Sequence, residues 1–133
     1  MENLFIEPTE FSPKVILDVK NKRFELSGVS RPEDVVAFYE SITLKAEDYV
    51  SQMLKNEDVL KELTFELTFD LIYINSASSK YILQILDIFK KLSLKGSVVN
   101  CNWYYEDVDD QILEDGEDLS EVIRMDFNFI DRK

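Results

Sequence analysis

The sequence predicts one α/β domain over residues 1–133, a sandwich of a mixed β-sheet with helices packed on it, in the order β-β-β-α-β-α-β-α-β. Three observations carry that reading. Leu63, Phe65, Leu67, Phe69 and Leu71 alternate with Thr64, Glu66, Thr68 and Asp70, the two-residue period of a strand with one buried face. Ile82, Ile85, Leu86, Phe89 and Leu92 then recur every three or four residues, so a helix follows. Val99, Cys101, Trp103 and Tyr105 resume the alternation, and a strand–helix–strand crossover of this length implies parallel neighbours in a right-handed unit.

Taken from the N-terminus, Leu4-Phe5-Ile6 reads as a short strand or arm ended by Pro8 and Pro13. Val15, Leu17 and Val19 alternate with Ile16 and Asp18, Asn21-Lys22 turn the chain, and Phe24 and Leu26 return it as a hairpin that Gly28 closes. Ser30-Arg31-Pro32-Glu33 has the S-x-x-E form of a capping box with proline in the first turn. Behind it Val35, Phe38, Tyr39, Ile42, Ala46, Tyr49, Val50 and Met53 form one helical stripe. That predicts a helix over Pro32–Leu54, roughly 34 Å long at 1.5 Å per residue. Lys55 to Glu62 is a polar connection with a fragment of helix. After the central unit, Lys95-Gly96 ends its helix. Asp107 to Ile123 is helical in part, with Gly116 as its break, and Met125, Phe127 and Phe129 form the last strand.

Composition narrows the function. Hydrophobic residues are 45% and charged residues 32% of the chain, an ordinary globular balance. No apolar run approaches the roughly 18 residues that span a bilayer, and Met1-Glu2-Asn3-Leu4 lacks the marks of a signal peptide. The single cysteine, Cys101, allows no internal disulfide and reads as a core thiol, which fits a reducing cytoplasm. The absence of histidine removes the commonest general base and a major metal ligand. With no phosphate-cradling glycine loop either, neither catalytic metal nor nucleotide nor other cofactor is expected.

The net charge is −12, and nine acids crowd between Glu106 and Glu121 with no Lys or Arg between Lys95 and Arg124. No EF-hand register fits them, since Gly116 follows Glu114-Asp115 without the preceding alternate acids. Nucleic acid and anionic membranes are poor partners for such a chain, and a basic protein surface is a better one. The segment is then either a solvated face or a docking surface, with Asp109, Asp110 and Glu114 as candidates. Trp103-Tyr104-Tyr105 is either an exposed aromatic patch for binding, through Trp103 and Tyr105, or core on one face and rim on the other.

The chemistry concentrates at the turn Asn75-Ser76-Ala77-Ser78-Ser79-Lys80. A strand entering a helix through hydroxyl residues places backbone N–H groups and the positive end of the helix dipole at one spot, which suits an anion. Ser76 or Ser78 is either a helix cap, worth about 1 kcal/mol, or a phosphate acceptor. A rival from another class is a small hydrolase using Ser76 or Ser78 with Lys80 as base; a third is a constitutive adaptor. The chain lacks a nucleophile-elbow motif. A cavity beside Lys80 favours the enzyme; a flat, exposed Ser76 favours the switch.

Tyr73-Ile74-Asn75-Ser76-Ala77-Ser78-Ser79-Lys80 followed by an apolar helix resembles the Y-x-N-[ST]-x-S-x-K signature of the SiaC family of bacterial regulatory phosphoproteins. Trp103-Tyr104-Tyr105 before the acids, and Gly116-Glu117-Asp118 before the final Phe-rich strand, are similar to that family too, over about Phe24 to Ile130. The resemblance implies a fold distantly like the STAS domains of anti-sigma-factor antagonists. It implies a non-enzymatic partner switch: a cognate kinase phosphorylates the hydroxyl after the Asn, a metal-dependent phosphatase removes the phosphate, and the unphosphorylated form binds an output protein. In the best-known system that output is a diguanylate cyclase. Carried over, the acceptor is Ser76, with Asn75 shaping the turn, Ser78 helping to cap the helix and Lys80 offsetting phosphate charge. Two departures stand out, serine at 76 where threonine is familiar and Ala77 where a second hydroxyl can occur.

Overall fold

The computed structural model describes residues 2–108 and 110–133. Six strands and four helices follow one another as β1 (Leu4–Ile6), β2 (Lys14–Asp18), β3 (Arg23–Ser30), α1 (Val35–Met53), α2 (Glu57–Glu62), β4 (Thr64–Ile74), α3 (Ser76–Leu94), β5 (Val98–Tyr105), α4 (Asp110–Ile123) and β6 (Phe127–Asp131). The order is the expected one, with α2 as the helical fragment of the polar connection. Strand order in the sheet is also chain order, β1-β2-β3-β4-β5-β6. The first two pairings are antiparallel and the last three parallel.

Successive right-handed crossovers that advance in one direction put their helices on one face of the sheet. Phe24, Phe65, Phe69 and Trp103 point to that face, and each is at most 1% exposed. Phe89 of α3 stacks on Phe65 with ring centroids 4.8 Å apart and tilts against Phe24 at 5.4 Å. Burying each such side chain contributes about 1.5–3 kcal/mol, so this aromatic seam clamps α3 over the middle of the sheet. The opposite face is polar. Lys14 pairs with Glu25 at 3.0 Å, and Asn100 and Asn102 both donate to Glu66.

Three local expectations are corrected. Ser30 does not open α1: it is the last residue of β3, fully buried, and Asp34 caps the helix by accepting from the Ala37 N–H at 3.0 Å. The Ser30 hydroxyl is engaged in the interior, so it is not free to act as a cap. Gly28 does not close the hairpin, because β3 runs through it with φ +109°, where the register against β4 shifts. Gly28 pairs with Leu71 and Val29 with Tyr73, so Ile72 is the extra residue of a β-bulge. Gly116 does not break α4; the helix is continuous, and the glycine is buried where the Trp103 indole crosses it.

Cys101 is 2% exposed, and burial pushes its thiol well above the usual range, so it stays protonated and packed.

Candidate functional site

The site lies where β4 hands over to α3. The bulge at Ile72 changes the phase of β4: before it the odd-numbered residues face the core, and after it Ile74 does. Ile72 and Tyr73 are left 61% and 49% exposed beside the turn. Asn75 then leaves the sheet in an extended conformation and caps α3, its side-chain oxygen accepting from the Ser78 N–H at 2.8 Å. Its own N–H donates to the Ser30 carbonyl at 2.9 Å, which ties the turn to the end of β3.

Ser76 is the first residue of α3, and its side chain is exposed. Neither Ser76 nor Ser78 is the cap; Asn75 holds that role because its amide reaches the third helical N–H. Ser78 points the opposite way and is fully buried. Its hydroxyl donates to the Ser30 carbonyl at 3.2 Å and accepts from the Ser30 hydroxyl at 2.8 Å. With the Ser30 proton so used, the Tyr39 hydroxyl is the donor in its 2.6 Å bond to Ser30. Burial raises the Tyr39 phenol above its ordinary range, with hydrogen bonds to Ser30 and Ser78 acting the other way, which keeps it neutral and able to donate. Three hydroxyls from β3, α1 and α3 thus close a satisfied network under the turn. Ser79 is half-buried, its hydroxyl turned back to the Asn75 carbonyl at 3.5 Å; Ala77 is half-buried and Lys80 is exposed one turn along.

The structure separates the other candidates. Trp103 is corrected from docking surface to core: it is 0% exposed, and its indole N–H donates to the Ile112 carbonyl at 2.8 Å. Tyr105 is half-buried at the end of β5. Asp110 and Glu114 are exposed one turn apart on α4, while Asp109 lies outside the described residues. The Lys90 ammonium donates to the Ile123 carbonyl at 2.6 Å, a cation at the negative end of an acidic helix. A groove of about 500 Å³ does lie beside Lys80, but the residues lining it include no serine. Ser78, whose hydroxyl both donates and accepts, faces the interior rather than a cleft.

Two features had no signal in the chain: the hydrogen bonding of Ser30 with Tyr39 and Ser78, and the role of Arg132. Arg132 braces the gap where β4 and β5 part after their last pair, Phe69–Trp103. Its guanidinium meets Asp70 at 2.5 Å, Glu106 at 3.0 Å and the Leu71 carbonyl at 3.3 Å.

The chain is similar to known proteins over nearly its whole length. An uncharacterised protein of Pseudomonas aeruginosa strain UCBPP-PA14 is 26% identical over 129 residues, covering 97% of this chain and 93% of that one. The crystal structure of apo-SiaC from P. aeruginosa matches all of both chains at a TM-score of 0.74 and 23% identity. A chain in the crystal structure of the diguanylate cyclase SiaD in complex with its activator SiaC matches at 0.79 and 24%, with 96% of each chain covered. These structures share the fold. The model of the SiaC family regulatory phosphoproteins matches residues 6–132, and the chain belongs to that family.

Proposed function

We propose that this chain is a single-domain, non-enzymatic, cytoplasmic partner switch, reversibly phosphorylated on Ser76, that binds and regulates an output protein when unphosphorylated. The observation that carries the reading is the division of the turn's serines. Ser76 is exposed at a helix N-terminus, while Ser78 is locked inside by Ser30. A phosphate on Ser76 adds about −1.5 to −2 charges beside helix N–H donors that tolerate them. No helix is long and apolar enough to cross a membrane among the described residues. The kinase and a metal-dependent phosphatase act in trans, and a diguanylate cyclase is the output class, as in the SiaD–SiaC complex.

The test is phosphosite mapping by mass spectrometry on the protein isolated from its own cells, with Ser76→Ala as control. Phosphate at Ser76 is expected; phosphate at Ser78 or Ser79 instead overturns the assignment.

The acidic segment contributes to docking on a basic partner. Neutralising Asp109, Asp110 and Glu114 together to Asn, Asn and Gln is expected to slow association several-fold at low salt. The difference should shrink near physiological ionic strength, where screening acts within about 8 Å. An unchanged association rate at low salt makes the segment a solvated face.

A further inference from the structure

A single backbone carbonyl grips the turn on both sides of Ser76. The Ser30 carbonyl accepts from the Asn75 N–H at 2.9 Å and from the Ser78 hydroxyl at 3.2 Å. The Asn75 side chain closes the same loop by accepting from the Ser78 N–H at 2.8 Å. Ser76 and Ala77 are the residues between these ties. We propose that Ser30, Tyr39 and Ser78 are positioning residues for phosphoryl transfer to Ser76, their hydroxyl chain fixing the register of the first turn of α3 on β3. This deepens the reading of Ser76 as the acceptor and rests on it.

The donors of the chain all run one way. The Tyr39 hydroxyl donates to Ser30 Oγ at 2.6 Å, Ser30 donates to Ser78 Oγ at 2.8 Å, and Ser78 donates to the Ser30 carbonyl. The start of the chain is held by ring packing: Tyr39 stacks on Tyr81 with centroids 5.2 Å apart and meets Phe38 edge-on at 5.0 Å. Its end is held by the sheet, where Ser30 pairs with Ile74. Among the described residues, no buried side-chain nitrogen or oxygen lacks a hydrogen-bond partner.

Three hydroxyls are not needed to hold α3 down. Ile82, Ile85, Leu86 and Phe89 already bury its apolar stripe, and Ala, Ala and Phe would fill the space of Ser30, Ser78 and Tyr39. Apolar contact is non-directional, so it keeps a helix end on a sheet without fixing where that end sits. Hydrogen bonds are directional, and a satisfied buried network specifies one arrangement. Phosphoryl transfer depends on such placement. Ser76 Oγ bonds to the γ-phosphorus of a nucleoside triphosphate, the bond to the β–γ bridging oxygen breaks, and the nucleoside diphosphate leaves while the serine proton passes to a base of the kinase. The attacking oxygen must lie in line with the leaving one, and a misplacement of about 1 Å costs on the order of 10²-fold in rate.

The test compares variants of the full chain that separate positioning from stability. Ser30→Ala with Ser78→Ala breaks the chain and leaves the buried Tyr39 hydroxyl without a partner, so its melting temperature should fall. Adding Tyr39→Phe removes that orphan, while Asn75 still donates to the Ser30 carbonyl, and the melting temperature should return to near wild type. Phosphate at Ser76 is followed by mass spectrometry in extract of the protein's own cells supplied with ATP, over a range of substrate concentrations. Both variants are expected to lose at least tenfold in maximal rate with the apparent KM unchanged, and their amides 76–79 to show μs–ms exchange by NMR relaxation dispersion that the wild type lacks. Ile85→Val, a core truncation about two turns along α3, controls for lost stability and should be phosphorylated at the wild-type rate. Tyr39→Phe alone keeps the stacked ring and orphans no donor; it should lose rate in the same direction by a smaller factor, and it decides the matter if the multiple variants do not fold. A merely structural network predicts instead that rate follows melting temperature, low in the double variant and restored in the triple. That outcome overturns the positioning role, and quiet amides in the triple variant overturn the fixed register. If the wild type takes up no phosphate on Ser76, the acceptor assignment falls, while the dispersion measurement still decides the register.

Discussion

Phosphorylation of Ser76 is expected to lower affinity for the output protein at least tenfold while leaving the domain folded. The helix N-terminus compensates the new charge locally by about 0.3–1 kcal/mol. The docked partner gains no such compensation. A dianion placed in a fitted interface is desolvated and meets like charge, which costs several kcal/mol, and each 1.4 kcal/mol is about tenfold in affinity. The fold is insulated because Ser76 points outward, whereas the hydroxyls that hold the turn are those of Ser30, Tyr39 and Ser78. Ser76→Ala should bind as the wild type does and resist the kinase. Ser76→Asp should bind more weakly than wild type and more tightly than the phosphoprotein, since it carries less charge, with a melting temperature near wild type. Calorimetric titration of the kinase-treated protein against its partner decides the matter: unchanged affinity with phosphate on Ser76 rules out the switch.

The second large effect is expected in the core. Gly116→Ala normally strengthens a helix by about 1 kcal/mol. Here a methyl group would lie 2.4 Å from Nε1 of Trp103 and 2.6 Å from Cδ1 and Cε2. The indole has little room to yield, since it stacks on Phe127 with centroids 5.8 Å apart, tilts against Phe69 at 5.5 Å and donates to Ile112. Overpacking of this kind costs about 1–3 kcal/mol, and a lost buried hydrogen bond about 1–3 more. Gly116→Ala is therefore expected to destabilise by about 2–4 kcal/mol, read as a lower urea midpoint with unchanged slope. Trp103→Ala should cost about 3–5 kcal/mol by leaving a cavity. Combining Gly116→Ala with Trp103→Phe should cost less than the sum of the two single changes, because the smaller ring makes room for the methyl. A neutral or stabilising Gly116→Ala refutes the contact.

These same residues show where the sequence was readable. Periods of two and of three-to-four residues separate cleanly around Leu63–Leu92, so the order of strands and helices follows from pattern alone. The turn at 75–80 was legible as a strand-to-helix junction because such turns have a short chemical vocabulary, but which of its serines faces outward was not. Short motifs misled where long-range packing overrides them. Ser30-x-x-Glu33 has the letters of a capping box, yet the serine hydroxyl is claimed by Tyr39 and Ser78, nine and 48 residues away. Gly116 has the look of a helix break, and only the position of Trp103 explains it. Alternation set Trp103 and Tyr105 on one face but did not say which face was covered; α4 decides that, through the Ile112 carbonyl. The bulge at Ile72 is invisible for a related reason: a one-residue slip between two strands is a property of the pair.

The coincidence of strand order with chain order has a consequence for synthesis. A sheet whose strands are shuffled must leave a slot open until a late strand is threaded into it. Here each parallel strand is delivered to the exposed edge of the one made just before it, from β3 to β4 to β5 to β6. The chain can therefore lay down its sheet progressively as it leaves the ribosome, with no insertion step. The edge left waiting at every stage is covered by the next segment to emerge, so the exposure of unpaired strand to other nascent chains is brief.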